Sequence, residues 1–287
     1  MTEYSPGLIV DPQTLRAQIH DPDLRIFDCR FALSDTELGR RLYHEGHIPG
    51  AIYAHLDEHL SSAITPTSGR HPLPDPSRFA AWLGQCGVSP ESRVVVYDDL
   101  NGAFAGRLWW MLRWVGHARV AVLEGGLQAW EAAGGTLTPD VPRHRPQGFE
   151  ARVRDDLWVT SDDLADALAR GDIRVIDARA PERYRGEVEP TDPVAGHIPG
   201  ALNLPLTENL DAEGRFLPAA RLRARFLDAM GDGSATTIAH SCGSGVTACH
   251  NLLAMELAGL SGSKLYVGSW SEWIRSPERA VATGEAS

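Results

Sequence analysis

Hydrophobic and polar residues follow one another along the chain in a pattern that predicts strands and helices in turn. In the second half, the predicted elements are, in order, a helix from Thr160 or Ser161 to Arg170, a strand at Val175-Ile176, a helix at 220–230, a strand at 236–240, a helix at 247–260, a strand at 264–267 and a helix from Ser271. The side-chain oxygen of Thr160 or Ser161 can accept the unpaired amide hydrogens at the start of the first helix, and Gly171 ends that helix. Short apolar strands between helices predict an α/β fold, in which helices cover both faces of a parallel sheet.

The first half of the chain repeats the second. Three pairs of segments carry the repeat, namely 46–51 with 196–201, 25–30 with 174–179, and 123–126 with 266–269. The first pair is identical, Gly-His-Ile-Pro-Gly-Ala. The first copy also has a predicted strand at 94–97 and a predicted helix at 104–114. The order and spacing of the matches persist along both halves, so the chain is predicted to be two tandem α/β domains that arose by duplication.

A stretch without periodicity separates the two copies. From Gly134 to about residue 154 the chain carries several prolines, which interrupt regular elements. We therefore predict an N-terminal domain at 1–138, a linker at 139–155 and a C-terminal domain at 156–287. The basic residues at 143–145 are predicted to form only a solvated face of this linker.

Composition and charge narrow the class of protein. The chain has 287 residues, 43% of them apolar and 23% charged, which is typical of a soluble globular protein of about two domains. Its formal charge of −11 argues against a nucleic-acid partner. No apolar run is long enough for a membrane helix, and the N-terminus lacks the pattern of a secretory signal. The four cysteines form no disulfide framework, so we expect a cytoplasmic protein.

A glycine-rich turn with a cysteine follows the strand predicted at 236–240. It reads Ser-Cys-Gly-Ser-Gly-Val-Thr-Ala over 241–248 and leads into the next predicted helix. Gly243 and Gly245 let the backbone curl so that successive N–H groups face one centre, to which the helix adds its positive dipole end. Both effects stabilise a thiolate or a persulfide, so Cys242 is a predicted nucleophile. The alternative is an inert, half-buried cysteine on a tight turn.

These motifs together resemble the two-domain rhodanese-like sulfurtransferases. The resemblance rests on the cysteine turn, on the doubled Gly-His-Ile-Pro-Gly-Ala and on Gly-Ser-Trp-Ser-Glu-Trp at 268–273, and it covers nearly the whole chain. It implies two rhodanese-like domains with the catalytic cysteine in the second. It also implies a ping-pong reaction in which Cys242 takes a sulfur atom from a donor, becomes a persulfide, and passes the sulfur to cyanide, a small thiol or a protein thiol such as a thioredoxin-like protein.

The resemblance also implies roles for residues around the cysteine. Gly243, Gly245, Val246 and Thr247 belong to the turn that would hold the donor anion or the persulfide. In the mercaptopyruvate branch of the family, a serine two positions after the cysteine forms a proton relay with a histidine and an aspartate. The matching positions here are Ser244, His71 and Asp57, although Asp57 lies where the two copies differ in length. The alternative for His71 is a surface loop histidine beside prolines.

Donor recognition is predicted to depend on arginine, whose planar fork pairs with two oxygens at once. The family's first substrate arginine matches Arg183, and Arg185 is a second candidate whose alternative is a surface salt bridge. The mercaptopyruvate branch has another arginine before the second Gly-His-Ile-Pro-Gly, where this chain reads Glu-Pro-Thr-Asp-Pro over 189–193. The neutral turn after Cys242 favours 3-mercaptopyruvate as donor and the missing arginine favours thiosulfate, so both stay open. We lean to 3-mercaptopyruvate.

The first copy lacks the nucleophile. Aligning Gly102 with Gly245 places Asp99 where the second copy has Cys242. A carboxylate cannot carry sulfur, and it repels an anionic donor. The N-terminal domain is therefore predicted to be non-catalytic.

Other chemistries of the cysteine turn are less well supported. Cysteine phosphatases of this fold need an arginine six positions after the cysteine, where this chain has Ala248. The four possible zinc ligands His240, Cys242, Cys249 and His250 do not have the spacing of paired ligands. We therefore expect no metal and no cofactor.

The remaining cysteines are predicted to have structural roles. Cys249 should lie in the first turn of the helix and point away from the cysteine turn, and its alternative role is a resolving thiol for Cys242. Cys29 and Cys86 are predicted to pack in the first domain. Two other functions remain as alternatives to a free enzyme, namely a sulfur-relay or redox module that acts within a protein complex, and a catalytically inactive scaffold.

Overall fold

The chain forms two compact units in a computed structural model that describes residues 7–285. Unit 1 comprises Met1–Ser62, Leu73–Arg154 and Glu213–Arg215, and unit 2 comprises Ala63–Pro72, Asp155–Ala212 and Phe216–Ser287. The segment Ala63–Pro72 lies in the first half of the chain but belongs to unit 2. No pattern in the sequence indicated this exchange.

Unit 1 contains a five-stranded sheet in the order β1-β5-β4-β2-β3, and all neighbouring strands are parallel. Its elements are β1 (Ile9–Val10), α1 (Pro12–Gln18), β2 (Leu24–Asp28), α2 (Leu38–Glu45), β3 (Ala51–Tyr53), α3 (Pro76–Gln85), β4 (Arg93–Tyr97), α4 (Ala105–Trp114), β5 (Val120–Leu123) and α5 (Gly126–Ala132). Strands β2 and β4 lie in the interior of the sheet, and their apolar runs are Ile26-Phe27 and 94–97, as expected of strands covered on both faces.

Unit 2 repeats this sheet in the order β6-β10-β9-β7-β8, again with parallel neighbours. Its elements are β6 (Trp158–Val159), α6 (Ser161–Arg170), β7 (Arg174–Asp177), α7 (Pro181–Tyr184), β8 (Leu202–Asn203), α8 (Ala219–Met230), β9 (Ile238–Ser241), α9 (Ala248–Leu257), β10 (Lys264–Tyr266) and α10 (Ser269–Trp273). The predicted α/β fold of two tandem domains with parallel sheets is confirmed.

Local sequence explains where the helices begin and end. The hydroxyl oxygen of Thr160 accepts a hydrogen bond from the N–H of Asp163 and so caps α6, as predicted. Gly171 ends the same helix in the left-handed conformation that glycine adopts most easily. The core of unit 2 lies between the sheet and its helices, where Val175, Tyr266 and Trp270 are fully buried.

Several predicted boundaries in unit 2 are wrong by a few residues. The strand predicted at 236–240 begins only at Ile238, because 235–237 form a single 3-10 turn. The helix predicted at 247–260 ends at Leu257. The last helix begins at Ser269 rather than Ser271, because its first turn is hydrogen-bonded to the cysteine turn and not set by its own capping residue. Within residues 7–285, every helix is too short or too polar to cross a bilayer.

Candidate active site

Cys242 lies immediately after β9, at the carboxyl end of the sheet of unit 2, and its side chain is almost fully buried. The backbone N–H of Gly245 donates a hydrogen bond to its Sγ over 3.2 Å. Gly245 has φ of +76°, and a Cβ at this position would lie 2.2 Å from the carbonyl oxygen of Val267. The turn therefore needs glycine here for two reasons, its backbone conformation and the close approach of Val267. Beyond the turn, Val246 is buried and Thr247 is half-buried at the start of α9.

The first turn of α10 holds the backbone of the cysteine turn. The N–H groups of Trp270 and Ser271 donate to the carbonyl oxygens of Cys242 and Gly243 over 3.0 and 2.9 Å. The Oγ of Ser269 accepts a hydrogen bond from the N–H of Cys242 over 3.0 Å and donates one to the carbonyl oxygen of Tyr266 over 3.0 Å. These bonds tie the Gly-Ser-Trp motif at 268–270 to the cysteine turn.

The structure brings His71 and Ser244 together. The Nδ1 of His71 and the Oγ of Ser244 are hydrogen-bonded at 2.7 Å, and both side chains are buried. His71 reaches this position because the segment Ala63–Pro72 belongs to unit 2. The third residue of the predicted relay, Asp57, belongs to unit 1, where its backbone N–H donates to Nδ1 of His55 over 3.1 Å. His71 and Ser244 are therefore in direct contact, and the role of Asp57 stays a prediction.

Arg183, the predicted donor contact, lies beside the cysteine turn together with a second arginine, Arg70. A Cβ built on Gly243 would lie 2.8 Å from Nη2 of Arg70 and 3.7 Å from Nη2 of Arg183. Arg70 was not among the predicted donor contacts, because a second arginine was expected only before Gly196. The signal that could have found it is its place next to His71.

Two carboxylates hold these arginines. Nη2 of Arg183 is 2.7 Å from Oε1 of Glu189 and 3.6 Å from Oδ2 of Asp192, and Nη1 of Arg70 pairs with Oδ1 of Asp192. Burial alone would raise the pKa of Glu189, but hydrogen bonds from Arg183 and from the N–H groups of Asp192 and Thr191 outweigh burial and lower that pKa.

A third arginine of this region, Arg179, is almost fully buried beneath the same cluster. Its guanidinium binds both carboxylate oxygens of Asp177, and its Nη1 is 3.5 Å from Glu189. Burial by itself would lower the pKa of Arg179, but the charges of Asp177 and Glu189, and of Cys242 to a smaller degree, raise it. Cys242 therefore lies close enough to Arg179 for the two groups to interact electrostatically.

Arg185 is engaged elsewhere. Its Nε is 2.7 Å from Oε1 of Glu187 and its Nη1 is 3.6 Å from Oε1 of Glu285. These contacts correspond to the surface salt bridge that was its alternative in the sequence analysis.

Unit 1 has a carboxylate where unit 2 has the nucleophile, but the residue is Asp98 and not Asp99. Asp28 pairs with Tyr97 in the sheet as Asp177 pairs with Ser241, so the residues that follow, Asp98 and Cys242, are equivalent. The same bond from the start of the next helix confirms this, since Leu127 N–H donates to the carbonyl oxygen of Asp98 as Trp270 N–H does to that of Cys242. The turn in unit 1 is one residue longer, which is why alignment on Gly102 was wrong by one.

The amide-lined turn of unit 1 is filled by the Asp98 side chain. Its carboxylate accepts hydrogen bonds from the N–H groups of Leu100, Gly102, Phe104 and Ala105 over 2.8–2.9 Å. Burial raises the pKa of Asp98, and these amide donors partly offset the effect. The homologous turn thus directs several backbone N–H groups at one carboxyl group.

The other cysteines are buried or half-buried. Cys249 is fully buried in the first turn of α9, where its Sγ donates to the carbonyl oxygen of Gly245 over 3.5 Å. Burial raises the pKa of Cys29, with further contributions from Asp98 and Asp28. Burial also raises the pKa of Cys86 to about 12.

The possible zinc ligands named above do not converge on one point. Among residues 7–285, metal-ligating groups come together only at Glu37, His55 and Glu58. There, Arg40 pairs with both carboxylates and the Nε2 of His55 lies 3.1 Å from the carbonyl oxygen of Thr36. A cation would have to displace these partners.

Comparison with known proteins gives the family. The model of the Rhodanese-like domain matches residues 11–133 and 160–276. The chain is 47% identical over 283 residues to a probable 3-mercaptopyruvate sulfurtransferase of Pseudomonas aeruginosa, covering 98% of this chain and 100% of that protein. It is 40% identical over 272 residues to a putative thiosulfate sulfurtransferase, SseB, of Mycobacterium tuberculosis, covering 94% of each chain.

Solved structures agree with these relatives. SseA from Escherichia coli, named as a 3-mercaptopyruvate sulfotransferase, superposes with a TM-score of 0.80 at 35% identity, covering 92% of this chain and 99% of that one. The 3-mercaptopyruvate sulfurtransferase from Leishmania major gives a TM-score of 0.81 at 32% identity, covering 95% of this chain and 75% of that one. The chain belongs to the two-domain rhodanese-like sulfurtransferase family.

Proposed function

We propose that this protein transfers a sulfane sulfur from 3-mercaptopyruvate to cyanide or a thiol through a persulfide on Cys242. The observation that carries the proposal is the Cys242 sulfur on a backbone turn whose Gly245 N–H donates to it, with Ser244 of the same turn hydrogen-bonded to His71. A sulfur anion in this position is stabilised by the amide donor and by the start of α9. The occupied turn around Asp98 supports the same reading, because its N–H groups bind the oxygen atoms of a carboxyl group in the homologous position.

In the first half-reaction, the Cys242 thiolate attacks the sulfur of the donor. The new S–S bond forms as the C–S bond of 3-mercaptopyruvate breaks, and the bonding electron pair leaves with the carbon as the enolate of pyruvate. The proton of the donor thiol passes to the enolate carbon, and the hydrogen-bonded Ser244 and His71 provide the route for that transfer. The products are pyruvate and an ionised Cys242 persulfide.

In the second half-reaction, cyanide attacks the outer sulfur of the persulfide. The S–S bond breaks, its electron pair returns to Cys242 as the thiolate, and thiocyanate leaves. A thiolate acceptor reacts in the same way and leaves as a persulfide. The turn can hold the sulfur throughout both half-reactions, because that sulfur is negatively charged before and after each step.

The charge balance around the turn favours a singly charged donor. Arg70, Arg179 and Arg183 face the three carboxylates of Asp177, Glu189 and Asp192, so this cluster has no net charge. The carboxylate of 3-mercaptopyruvate is a monoanion that can pair with a guanidinium, whereas thiosulfate brings two negative charges next to an anionic sulfur. Thiosulfate is the second candidate donor, because a relative with 40% identity carries that name.

We further propose the chain organisation and setting that the sequence predicts. Residues 156–287 form the domain that carries the nucleophile, 139–155 form the linker, and 1–138 form a domain without a nucleophile of its own, because Asp98 fills its anion-binding turn. The segment Ala63–Pro72 of this first part nevertheless belongs to unit 2 and brings His71 to the site. The four free cysteines suit the reducing cytoplasm, where a thioredoxin-like protein is a natural thiol acceptor. If the protein instead acts only as a relay module within a complex, turnover of free small donors should be poor.

Steady-state transfer to cyanide tests the proposal. We expect kcat/KM to be about tenfold higher for 3-mercaptopyruvate than for thiosulfate, because of the additional charge of thiosulfate. Cys242→Ala should abolish transfer from both donors, and Cys86→Ala, in the other unit, should leave it unchanged. A large preference for thiosulfate would reverse the choice of donor, and full transfer by Cys242→Ala would overturn the mechanism.

A further inference from the structure

We propose that Arg70 is the second guanidinium of the donor site and that its ion pair with Asp192 makes the site select a singly charged donor over a doubly charged one. This inference rests on the proposed function. Its first support is position, since a Cβ on Gly243, the residue next to Cys242, would lie 2.8 Å from Nη2 of Arg70. Nη2 of Arg183 would lie 3.7 Å from the same Cβ, so both guanidiniums lie beside the turn that carries the nucleophile.

The backbone of Arg70 is held to the turn by a chain of hydrogen bonds. Its N–H donates to Oγ of Ser271 over 3.1 Å, and the N–H of Gly69 donates to Oε2 of Glu272 over 3.2 Å. Ser271 in turn donates its own N–H to the carbonyl oxygen of Gly243 over 2.9 Å. A Cβ on Gly69 would lie 2.7 Å from the carbonyl oxygen of Gly268, so the segment approaches α10 as closely as glycine allows. This anchoring gives Arg70 a fixed place at the turn.

Arg70 also retains hydrogen-bonding capacity that its ion pair does not use. Its Nη1 pairs with Oδ1 of Asp192, but its buried Nε has no hydrogen-bond partner among residues 7–285. Oδ2 of Asp192 is likewise buried without a hydrogen bond, 3.6 Å from Nη2 of Arg183. Most buried polar atoms in proteins have a hydrogen-bond partner, and an unpaired one can be completed by a ligand or a water molecule. A carboxylate placed between Arg70 and Arg183 would supply the missing acceptor.

Asp192 sets the charge preference of this pair of arginines. It lies within reach of both guanidiniums and its side chain is only 3% exposed, so solvent screens it weakly. The negative charge of Asp192 weakens the attraction between the two arginines and each additional negative charge on the donor. The site can thus hold a carboxylate through two arginines and still repel a dianion. In this way Arg70 can take the place of the arginine expected before Gly196 without giving the site a preference for thiosulfate.

Two substitutions test the two halves of the inference. Arg70→Ala should lower kcat/KM for 3-mercaptopyruvate at least about tenfold, mainly through KM, and Arg70→Lys should recover only part of it. Asp192→Asn keeps Arg70 and removes the negative charge, so the ratio of kcat/KM for thiosulfate to that for 3-mercaptopyruvate should rise about tenfold. If the ion pair were purely structural, Asp192→Asn would lower kcat/KM for both donors by the same factor, and their ratio would not change.

Matched controls separate folding from recognition. Arg225→Ala removes an arginine of similar exposure that binds Glu208, Asn209 and the carbonyl oxygen of Pro205 in unit 2, so it also costs partly buried hydrogen bonds, and it should leave both values of kcat/KM within about twofold. The double variant Arg70→Ala/Asp192→Asn removes the buried pair without leaving one charge unpaired, and it should still show the loss of affinity for 3-mercaptopyruvate.

The inference is overturned if Arg70→Ala behaves like Arg225→Ala, or if Asp192→Asn leaves the donor ratio unchanged. Either result leaves the proposed function intact, provided that the unmodified protein takes up sulfur from a donor on Cys242. If the unmodified protein takes up no sulfur from either donor, the proposed function itself fails.

Discussion

Ser269 fixes the backbone of the nucleophile at the expense of conformational strain. Its φ of +50° lies in the left-handed region, which side chains other than glycine rarely adopt. The equivalent residue of unit 1 is Gly126, with φ of +59°, which adopts this conformation without strain. The serine is retained in unit 2 where its Oγ accepts the hydrogen bond from the N–H of Cys242. Ser269→Ala and Ser269→Gly separate the hydrogen bond from the strain.

The lost hydrogen bond and the backbone strain at Ser269 set the expected change in the free energy of unfolding. Ser269→Ala keeps the strain and leaves the buried N–H of Cys242 without its acceptor, which should lower the free energy of unfolding by about 1–3 kcal/mol. Ser269→Gly loses the same bond but relieves about 1–2 kcal/mol of left-handed strain, of which about 0.4–1 kcal/mol is returned as greater freedom of the unfolded chain. The glycine variant should therefore be more stable than the alanine variant by about 0.5–1 kcal/mol.

Urea unfolding and steady-state kinetics measure the two effects separately. Both variants should lose at least about fivefold in kcat for sulfur transfer, because the Cys242 backbone is no longer held, while KM for the donor changes less than about twofold. The reasoning is refuted if either variant keeps the kcat of the unmodified protein. It is also refuted if the alanine variant is the more stable of the two, since strain would then not be present at this residue.

Three further substitutions probe the proton relay, the occupied turn of unit 1 and the response to acid. His71→Asn should lower kcat for 3-mercaptopyruvate by about 10²-fold and leave kcat for thiosulfate within about threefold, because only the first donor needs a proton moved to carbon; equal losses would exclude the relay. Asp98→Ala should lower the free energy of unfolding by about 3 kcal/mol in urea titration, because buried amides lose their acceptor, and an unchanged midpoint would contradict this. Burial lowers the pKa of His240 to about 3, so the unfolded chain binds a proton that the folded chain does not, and stability should fall as pH drops below the unfolded value near 6.5. His240→Val, which copies Val96 of unit 1, should remove about 2–3 kcal/mol of the stability difference between pH 7 and pH 4.5, and an unaltered difference would assign the acid sensitivity elsewhere.

The duplicated α/β fold could be predicted because it is written in local patterns. Buried parallel strands need short, uninterrupted apolar runs, and capping residues such as Thr160 and Gly171 mark helix ends within a few residues. Boundaries set by contacts between distant segments could not be predicted in this way. The start of α10 at Ser269 depends on hydrogen bonds to the cysteine turn, which lies 27 residues away along the chain.

The site was predicted in part for the same reason. Cys242 and Ser244 stand in one contiguous motif, and the motif alone indicates an anion-binding turn. Asp98 was missed by one residue, because only the pairing of β2 with β4 reveals that the turn of unit 1 is longer. Arg70 was missed because its place at the turn follows from the segment Ala63–Pro72 joining unit 2, which is a property of the tertiary fold.

The central claim is that Cys242 carries the transferred sulfur as a persulfide. Intact-protein mass spectrometry after brief exposure to 3-mercaptopyruvate, without acceptor, measures this directly. The account predicts a gain of one sulfur atom, mapped by peptide analysis to Cys242, lost on addition of cyanide and absent from Cys242→Ala. No gain of mass, or a sulfur atom on Cys249, Cys29 or Cys86 instead, would contradict it.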